Sequence, residues 1–277
     1  MNFNKIREGE LKEVFDALEE TFSVTGTDYY LIGALARDVW YSRGSKIFRQ
    51  TKDVDFAILV GSQANYESIK QYLKEKKKFI DTTGNSFVMI SPSGVQVDIF
   101  PFGEIEIDYG VSLAGEGLRS IKVNGFLEVY QSGTEKVEMQ TGHNFEIATL
   151  PSIVLLKLIA FDDRPEIRSK DARDIANIIH HFFDLKADYI YGAHVDLFAE
   201  EDDAQTLEEI SATVIGREIK KICASNKALL ERVKQILQSQ IDFKEESLFI
   251  LNMVAETAGT VEKNVQLLHN LRSPLDD

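Results

Sequence analysis

At 277 residues, 44% of them hydrophobic and 27% charged, the chain can bury a sizeable core and falls between one large domain and two smaller ones. Its 31 Lys and Arg against 45 Asp and Glu give a formal net charge of -14, which argues against a general polyanion-binding surface but leaves room for a local basic groove, since neutralising phosphates needs basic residues gathered on one face. Cys223 is the only cysteine, Met1 to Glu20 is too charged for a signal peptide, and no apolar run approaches bilayer length; an intrachain disulfide, a cysteine-based zinc site and a membrane span are therefore not expected, and the expected compartment is the cytoplasm.

In chain order, Leu11, Val14, Phe15, Leu18 and Phe22 recur at helical spacing among Glu and Lys, so the chain opens with an amphipathic helix, broken at Thr25 to Asp28. Tyr29 to Ile32 read as a short strand running into Gly33, and Leu35 to Tyr41 as a helix. Asp53 to Val60 is apolar and β-branched with acidic residues only at its start, which predicts a central strand; Tyr66 to Lys78 follows as a polar helix with Ile69 and Leu73 on one side. Phe87 to Ile90 and Val95 to Phe100 flank Ser91-Pro92-Ser93-Gly94 and predict an antiparallel hairpin. Asn124-Gly125, between Ile121 to Val123 and Phe126 to Tyr130, predicts a second. From about residue 150 helical patterns dominate: Ile153 to Phe161, Asp171 to Phe183, Thr206 to Ala224, Lys227 to Ser239 and Glu245 to Leu271. The expected fold is α+β, with a mixed sheet flanked by helices over residues 1–148 and a helical domain over residues 149–277.

Asp53 and Asp55 stand at i and i+2 where their strand begins, so their side chains leave the same face and repel unless a cation sits between them. Asp98 lies in the otherwise apolar run Val95 to Phe100, where a bare carboxylate is expensive to bury. Three carboxylates brought together across neighbouring strands make a magnesium site, because that ion selects hard oxygen ligands. Taken singly, each aspartate reads equally as a solvated residue at a strand end or on an edge strand. Upstream, Leu31-Ile32-Gly33-Ala34-Leu35 supplies a strand ending in a glycine and a small residue, a turn at which helix N-terminal amides approach phosphate oxygens closely.

These residues resemble the nucleotidyltransferase superfamily, whose signature is a Gly-Gly or Gly-Ser turn, a strand bearing Asp-x-Asp, and a third carboxylate on a later strand. Gly33-Ala34, Asp53-Val54-Asp55 and Asp98 match in order. Arg49-x-Thr51-x-Asp53-x-Asp55, then Lys157, then Lys170-Asp171-x-x-Asp174, is similar to the abortive-infection-type (AbiEii-like) nucleotidyltransferases, toxins of bacterial toxin–antitoxin pairs; this likeness spans roughly residues 29 to 180. Ala34 departs from the pattern by removing a hydroxyl contact to phosphate, and the interval from Gly33 to Asp53 is longer than in the tightest versions. Arg37-Asp38 is also found in the nucleotide-adding enzymes that build transfer-RNA ends.

The resemblance implies that Asp53 and Asp55 coordinate magnesium on a nucleoside triphosphate such as ATP, and that Asp98 helps hold a second ion and draws a proton from the attacking hydroxyl. It implies nucleotide contacts for Gly33, Ala34, Arg49, Thr51, Lys157, Lys170, Asp171 and Asp174, and an antitoxin as partner protein. It leaves the acceptor open among an RNA end, a protein and a small molecule. The residues themselves keep two readings open: the Lys157 ammonium snorkels to solvent or meets the triphosphate, and Ser169 N-caps a helix in which Lys170 and Asp174 form a surface pair or Asp171 and Asp174 face a cleft. Arg164 and Arg168 are further candidates for phosphate or acceptor contacts, and His143, His180, His181, His194 and His269 have no metal-ligand spacing. The alternative to an enzyme is a non-catalytic member of the same fold that binds nucleotide or a partner protein.

Overall fold

The computed structural model describes residues 3–44, 53–114, 117–198 and 205–276. They divide into two compact units, one holding the β-sheet up to Thr149 and one beginning at Leu150 and including Gln131–Gly133.

The first unit is a seven-stranded mixed sheet with helices on its faces. Its strands are β1 (Tyr29–Ile32), β2 (Asp53–Leu59), β3 (Ile80–Asp81), β4 (Val88–Ile90), β5 (Gln96–Phe102), β8 (Thr134–Glu138) and β9 (Asn144–Ala148), in the spatial order β3-β4-β5-β2-β1-β9-β8. β2 runs parallel to β5 and antiparallel to β1, so both neighbours of the acidic strand are themselves interior strands. Helix α1 (Phe3–Thr25) buries Val14, Phe15, Leu18 and Phe22 to 1% exposure or less. On the sheet below, Phe56 meets the rings of Phe15, Phe22, Tyr29 and Phe145 with centroids 5.5–6.4 Å apart, a mostly edge-to-face cluster of the kind aromatic quadrupoles favour. Helix α3 (Gln63–Lys77) is capped by Ser62, which accepts from Asn65 N at 3.2 Å, and its Tyr66 hydroxyl donates to the Ile99 carbonyl at 3.0 Å. Helix α2 (Gly33–Arg43) is tied to the sheet where Trp40 Nε1 donates to the Ala148 carbonyl at 2.8 Å.

The hairpin expected around Asn124-Gly125 does not form. Ile121 to Val123 does not pair with Phe126 to Tyr130. Instead β7 (Ser120–Lys122) pairs with β6 (Gly110–Ser112), and Phe126–Ser132 is a helix, α4. The Asn124-Gly125 turn closes with Phe126 N donating to Val123 O at 3.2 Å, and Val129 N then donates to Gly125 O at 2.9 Å, which propagates a helix. Tertiary contacts decide the outcome: the Tyr30 hydroxyl donates to Phe126 O at 2.9 Å, and Phe126 and Tyr130 pack on Phe102. The hairpin β8–β9 was not anticipated. One of its faces carries Val137, Phe145 and Ile147 into the core, while Glu135, Lys136, Glu138, Asn144 and Glu146 stay exposed.

The second unit is helical: α5 (Leu150–Asp163), α6 (Ser169–Ala193), α7 (Leu207–Ile222), α8 (Lys227–Phe243), α9 (Leu248–Thr257) and α10 (Val261–Arg272). α5 is apolar nearly all round, as a helix enclosed by others should be. A reciprocal capping box of Thr206 and Glu209 starts α7. At Gly216 an added Cβ would stand 2.2 Å from Leu271 O, so this glycine lets α7 and α10 approach closely. The single pattern from Glu245 to Leu271 is in fact two helices. They are parted at Ala258, in the left-handed region at φ 52°, and Thr260 N-caps the second by accepting from Lys263 N. Ser169 is likewise the first helical residue, not the cap; Arg168 holds that position without a side-chain capping bond. Among the described residues no helix is long and apolar enough to cross a membrane.

Candidate active site

β2 begins with an exposed Asp53 and a half-buried Asp55, separated by a buried Val54. Strand pleating sends Val54 and Phe56 towards the aromatic core and both aspartates to the opposite face. In the parallel register with β5, Asp53 lies opposite Gln96 and Asp55 opposite Asp98. Directly opposed residues share a face, so three carboxylates and one amide occupy four adjoining positions on the same side of two hydrogen-bonded strands about 4.8 Å apart. The Gln96 Nε2 donates to Asp98 Oδ1 at 2.8 Å. Sequence reasoning passed over Gln96, although its i-2 spacing from Asp98 on an alternating strand was the available signal.

The glycine turn is on the same side. Ile32 pairs with Asp55, and Gly33, at φ 70°, turns the chain directly from β1 into α2. A Cβ built on Gly33 would fall 2.2 Å from Asp55 Oδ2, so only glycine leaves room for this carboxylate beside the first turn of the helix. The unpaired amides and positive end of that helix favour a negative group there. Ala34, half-buried, continues the turn with the smallest side chain. Gly33→Ala is expected to lower the melting midpoint, since the left-handed backbone alone costs an L-residue about 1–2 kcal/mol, and to reduce nucleotidyl transfer at least tenfold by displacing Asp55. A variant matching the parent in both measurements would mark the bend as ordinary packing.

The donor set is all hard oxygen, as a magnesium-class ion requires. Among the described residues, no three or more His, Cys, Asp or Glu side chains are already gathered closely enough to hold a metal ion. The aspartates share a face and a register without closing round a point. Arg49 and Thr51 lie outside the described residues. In α2, Arg37 is buried and donates from Nε and Nη2 to Asp38 Oδ1 at 3.2 and 3.0 Å.

Lys157, Lys170, Asp171 and Asp174 belong to the helical unit. Lys157 Nζ on α5 lies 2.7 Å from both Asp171 Oδ1 and Asp174 Oδ2 on α6. Asp171 is only 6% exposed, and its Oδ2 has no hydrogen-bond partner, with Arg168 3.7 Å away. Burial works to lower the Lys157 pKa, but the two carboxylates outweigh it and hold the ammonium above its ordinary value. The Lys157 head therefore does not reach out to solvent; it is enclosed in a trio of net charge -1. Lys170 is exposed. Two of the histidines have structural partners: buried His143 shares hydrogen bonds with Asp16 at 3.0 Å and Thr141 at 2.9 Å, and His180 with Glu208 at 2.5 Å.

A glycine bend is thus seated against an Asp-x-Asp strand, with a third aspartate in register on the parallel neighbour. The sequence matches the model of the family described as "Nucleotidyl transferase AbiEii toxin, Type IV TA system" over residues 16–249. The chain belongs to that family: it is a nucleotidyltransferase of the toxin side of type IV toxin–antitoxin systems, with a nucleotide as substrate in general and an antitoxin as counterpart. No curated protein matches the sequence. Among solved structures, the chain is similar to the antibiotic-resistance factor ANT(2″)-Ia, at 12% identity and TM-score 0.38, covering 86% of this chain and 96% of that one. It is also similar to an antigenic nucleotidyltransferase-like protein from Paracoccidioides brasiliensis, at 16% identity and TM-score 0.38, covering 68% and 90%.

Proposed function

We propose that the chain transfers a nucleoside monophosphate from a nucleoside triphosphate to an acceptor hydroxyl in a divalent-metal-dependent reaction, with Asp53, Asp55 and Asp98 as its acidic centre. The observation that carries this reading is the adjoining register of Asp55 and Asp98 on parallel strands, with Gly33 against the Asp55 carboxylate. Asp53 and Asp55 would hold magnesium, and Asp98 would help hold a second ion. Such ions, when bound, supply charge neutralisation at the α-phosphate and at the departing pyrophosphate. Asp98 accepts the proton of the attacking hydroxyl, and the first turn of α2, from Gly33 and Ala34, presents amides to phosphate oxygens. The chain's contribution is thus mainly position and charge.

To Lys157, Asp171 and Asp174 we assign a part in handling the nucleotide. Their net charge of -1 favours a metal-bearing triphosphate over a bare one, and exposed Lys170 is a phosphate contact. The acidic balance suits an acceptor that needs few phosphate contacts, such as an RNA end, a protein or a small molecule, and the single, buried Cys223 suits a reducing cytoplasm.

The test is incubation with magnesium, each α-labelled nucleoside triphosphate in turn, and pooled transfer RNA, protein and aminoglycoside acceptors. Label is expected to move to one acceptor class with release of pyrophosphate, and to stop when EDTA is added. Metal-dependent nucleotide binding that never releases pyrophosphate with any acceptor would instead define a non-catalytic nucleotide binder.

A further inference from the structure

We propose that Gln96 is a positioning residue for nucleotidyl transfer, holding the Asp98 carboxylate by its amide in the orientation in which that carboxylate serves the reaction. The inference rests on the reading of Asp98 given above. Gln96 and Asp98 are i and i+2 on one face of β5, and Gln96 stands opposite Asp53 just as Asp98 stands opposite Asp55. On the other edge of β5, Ile90 and Val88 of β4 lie opposite Gln96 and Asp98. The Gln96 Nε2 donates to Asp98 Oδ1 at 2.8 Å.

The residue type fits this task. Positions i and i+2 of a strand are roughly 6–7 Å apart, a gap that the glutamine side chain spans to reach the carboxylate. Lysine or arginine at this place would reach as well, but each would cancel the charge that a cation, or the proton of an attacking hydroxyl, must meet. Glutamate would add a fourth negative charge beside Asp53, Asp55 and Asp98. A neutral amide restricts the rotation of Asp98 and leaves its charge whole, which is how outer-sphere partners orient carboxylate ligands.

Three proteins decide the matter: the parent, Asp98→Asn, and Gln96→Met, which keeps length and bulk but cannot donate. Binding of Mn²⁺ is read by electron paramagnetic resonance in the presence of an α,β-methylene nucleoside triphosphate, and steady-state transfer is measured separately. Gln96→Met is expected to weaken Mn²⁺ binding and lower kcat by roughly 10–100-fold, with KM for the nucleotide within about twofold of the parent and an unchanged melting midpoint. A purely structural role would move the midpoint and leave the split between kcat and KM without this pattern. If Asp98→Asn weakens Mn²⁺ binding while Gln96→Met matches the parent in affinity and kcat, the positioning role is wrong and the acidic centre stands. If Asp98→Asn itself binds Mn²⁺ and turns over like the parent, the acidic centre and the role of Gln96 fall together. Should Gln96→Met fail to fold, Gln96→Leu is measured in its place against the same criteria.

Discussion

Asp55→Asn is expected to abolish nucleotidyl transfer, with a loss on the order of 10³-fold in kcat, beyond the 10–100-fold typical of an outer-sphere partner. The far-UV circular dichroism spectrum should remain that of the parent. Asparagine keeps the shape of the side chain beneath Gly33 and removes only its charge. Asp55 stands one strand from Asp98 and two residues from Asp53, so in metal-free buffer the three carboxylates repel one another. The variant should keep its fold in EDTA and in magnesium while losing its activity, because a bound cation needs the charge of this side chain and not only its shape. Full label transfer by Asp55→Asn would remove the metal assignment altogether.

Lys157→Met is the substitution expected to cost most stability. It leaves Asp171 and Asp174 facing each other without the ammonium, which lies 2.7 Å from both, and Asp171 is 6% exposed. Removing one partner of a buried ion pair typically costs about 3–5 kcal/mol because the remaining charge is left uncompensated. Urea unfolding followed by helical circular dichroism should show a loss in that range, and the triple change Lys157→Met, Asp171→Asn, Asp174→Asn should recover most of it. The parent carries a matching pH signature. Its Lys157 is held above the ordinary lysine value, so the trio contributes fully below pH about 10.4 and that contribution is lost as pH rises through the raised value. The variant should lack this alkaline step. An unchanged urea midpoint for Lys157→Met would mean that the two carboxylates are solvated and the trio contributes little.

The strands that carry the aspartates are legible because they are interior. β2 and β5 read as apolar runs interrupted only by the acids and by Gln96, and the turn Ser91 to Gly94 marks where β4 doubles back into β5. The long helices declare themselves by period. Elements decided by distant contacts are not legible: Asn124-Gly125 is a strong local hairpin signal, and it is overridden because Phe126 and Tyr130 find Tyr30 and Phe102, residues far away in the chain. The hairpin β8–β9 is hidden for the opposite reason, since Thr134–Glu138 offers a single buried residue, Val137, to set its pattern. In the acidic centre, residue types and spacing single out Gly33, Asp53, Asp55 and Asp98 one by one. Their adjacency depends on the parallel pairing of β2 with β5, which no local signal encodes. The enclosure of Lys157 was also out of reach, because an apolar run around a lysine does not say which carboxylates the next helix will bring to it.

β1 takes its second neighbour late: Leu31 lies alongside Ile147 in β9, a segment made only after every other strand of the sheet. At a synthesis rate of roughly 5–20 residues per second, the nascent chain spends on the order of ten seconds with the glycine-bearing strand open along one edge. A ribosome-bound fragment ending before Asn144 therefore carries all of the acidic centre's residues on an unfinished scaffold whose bare edge is prone to pair with other chains. The sheet that carries these acidic residues is thus complete only once translation has passed β9.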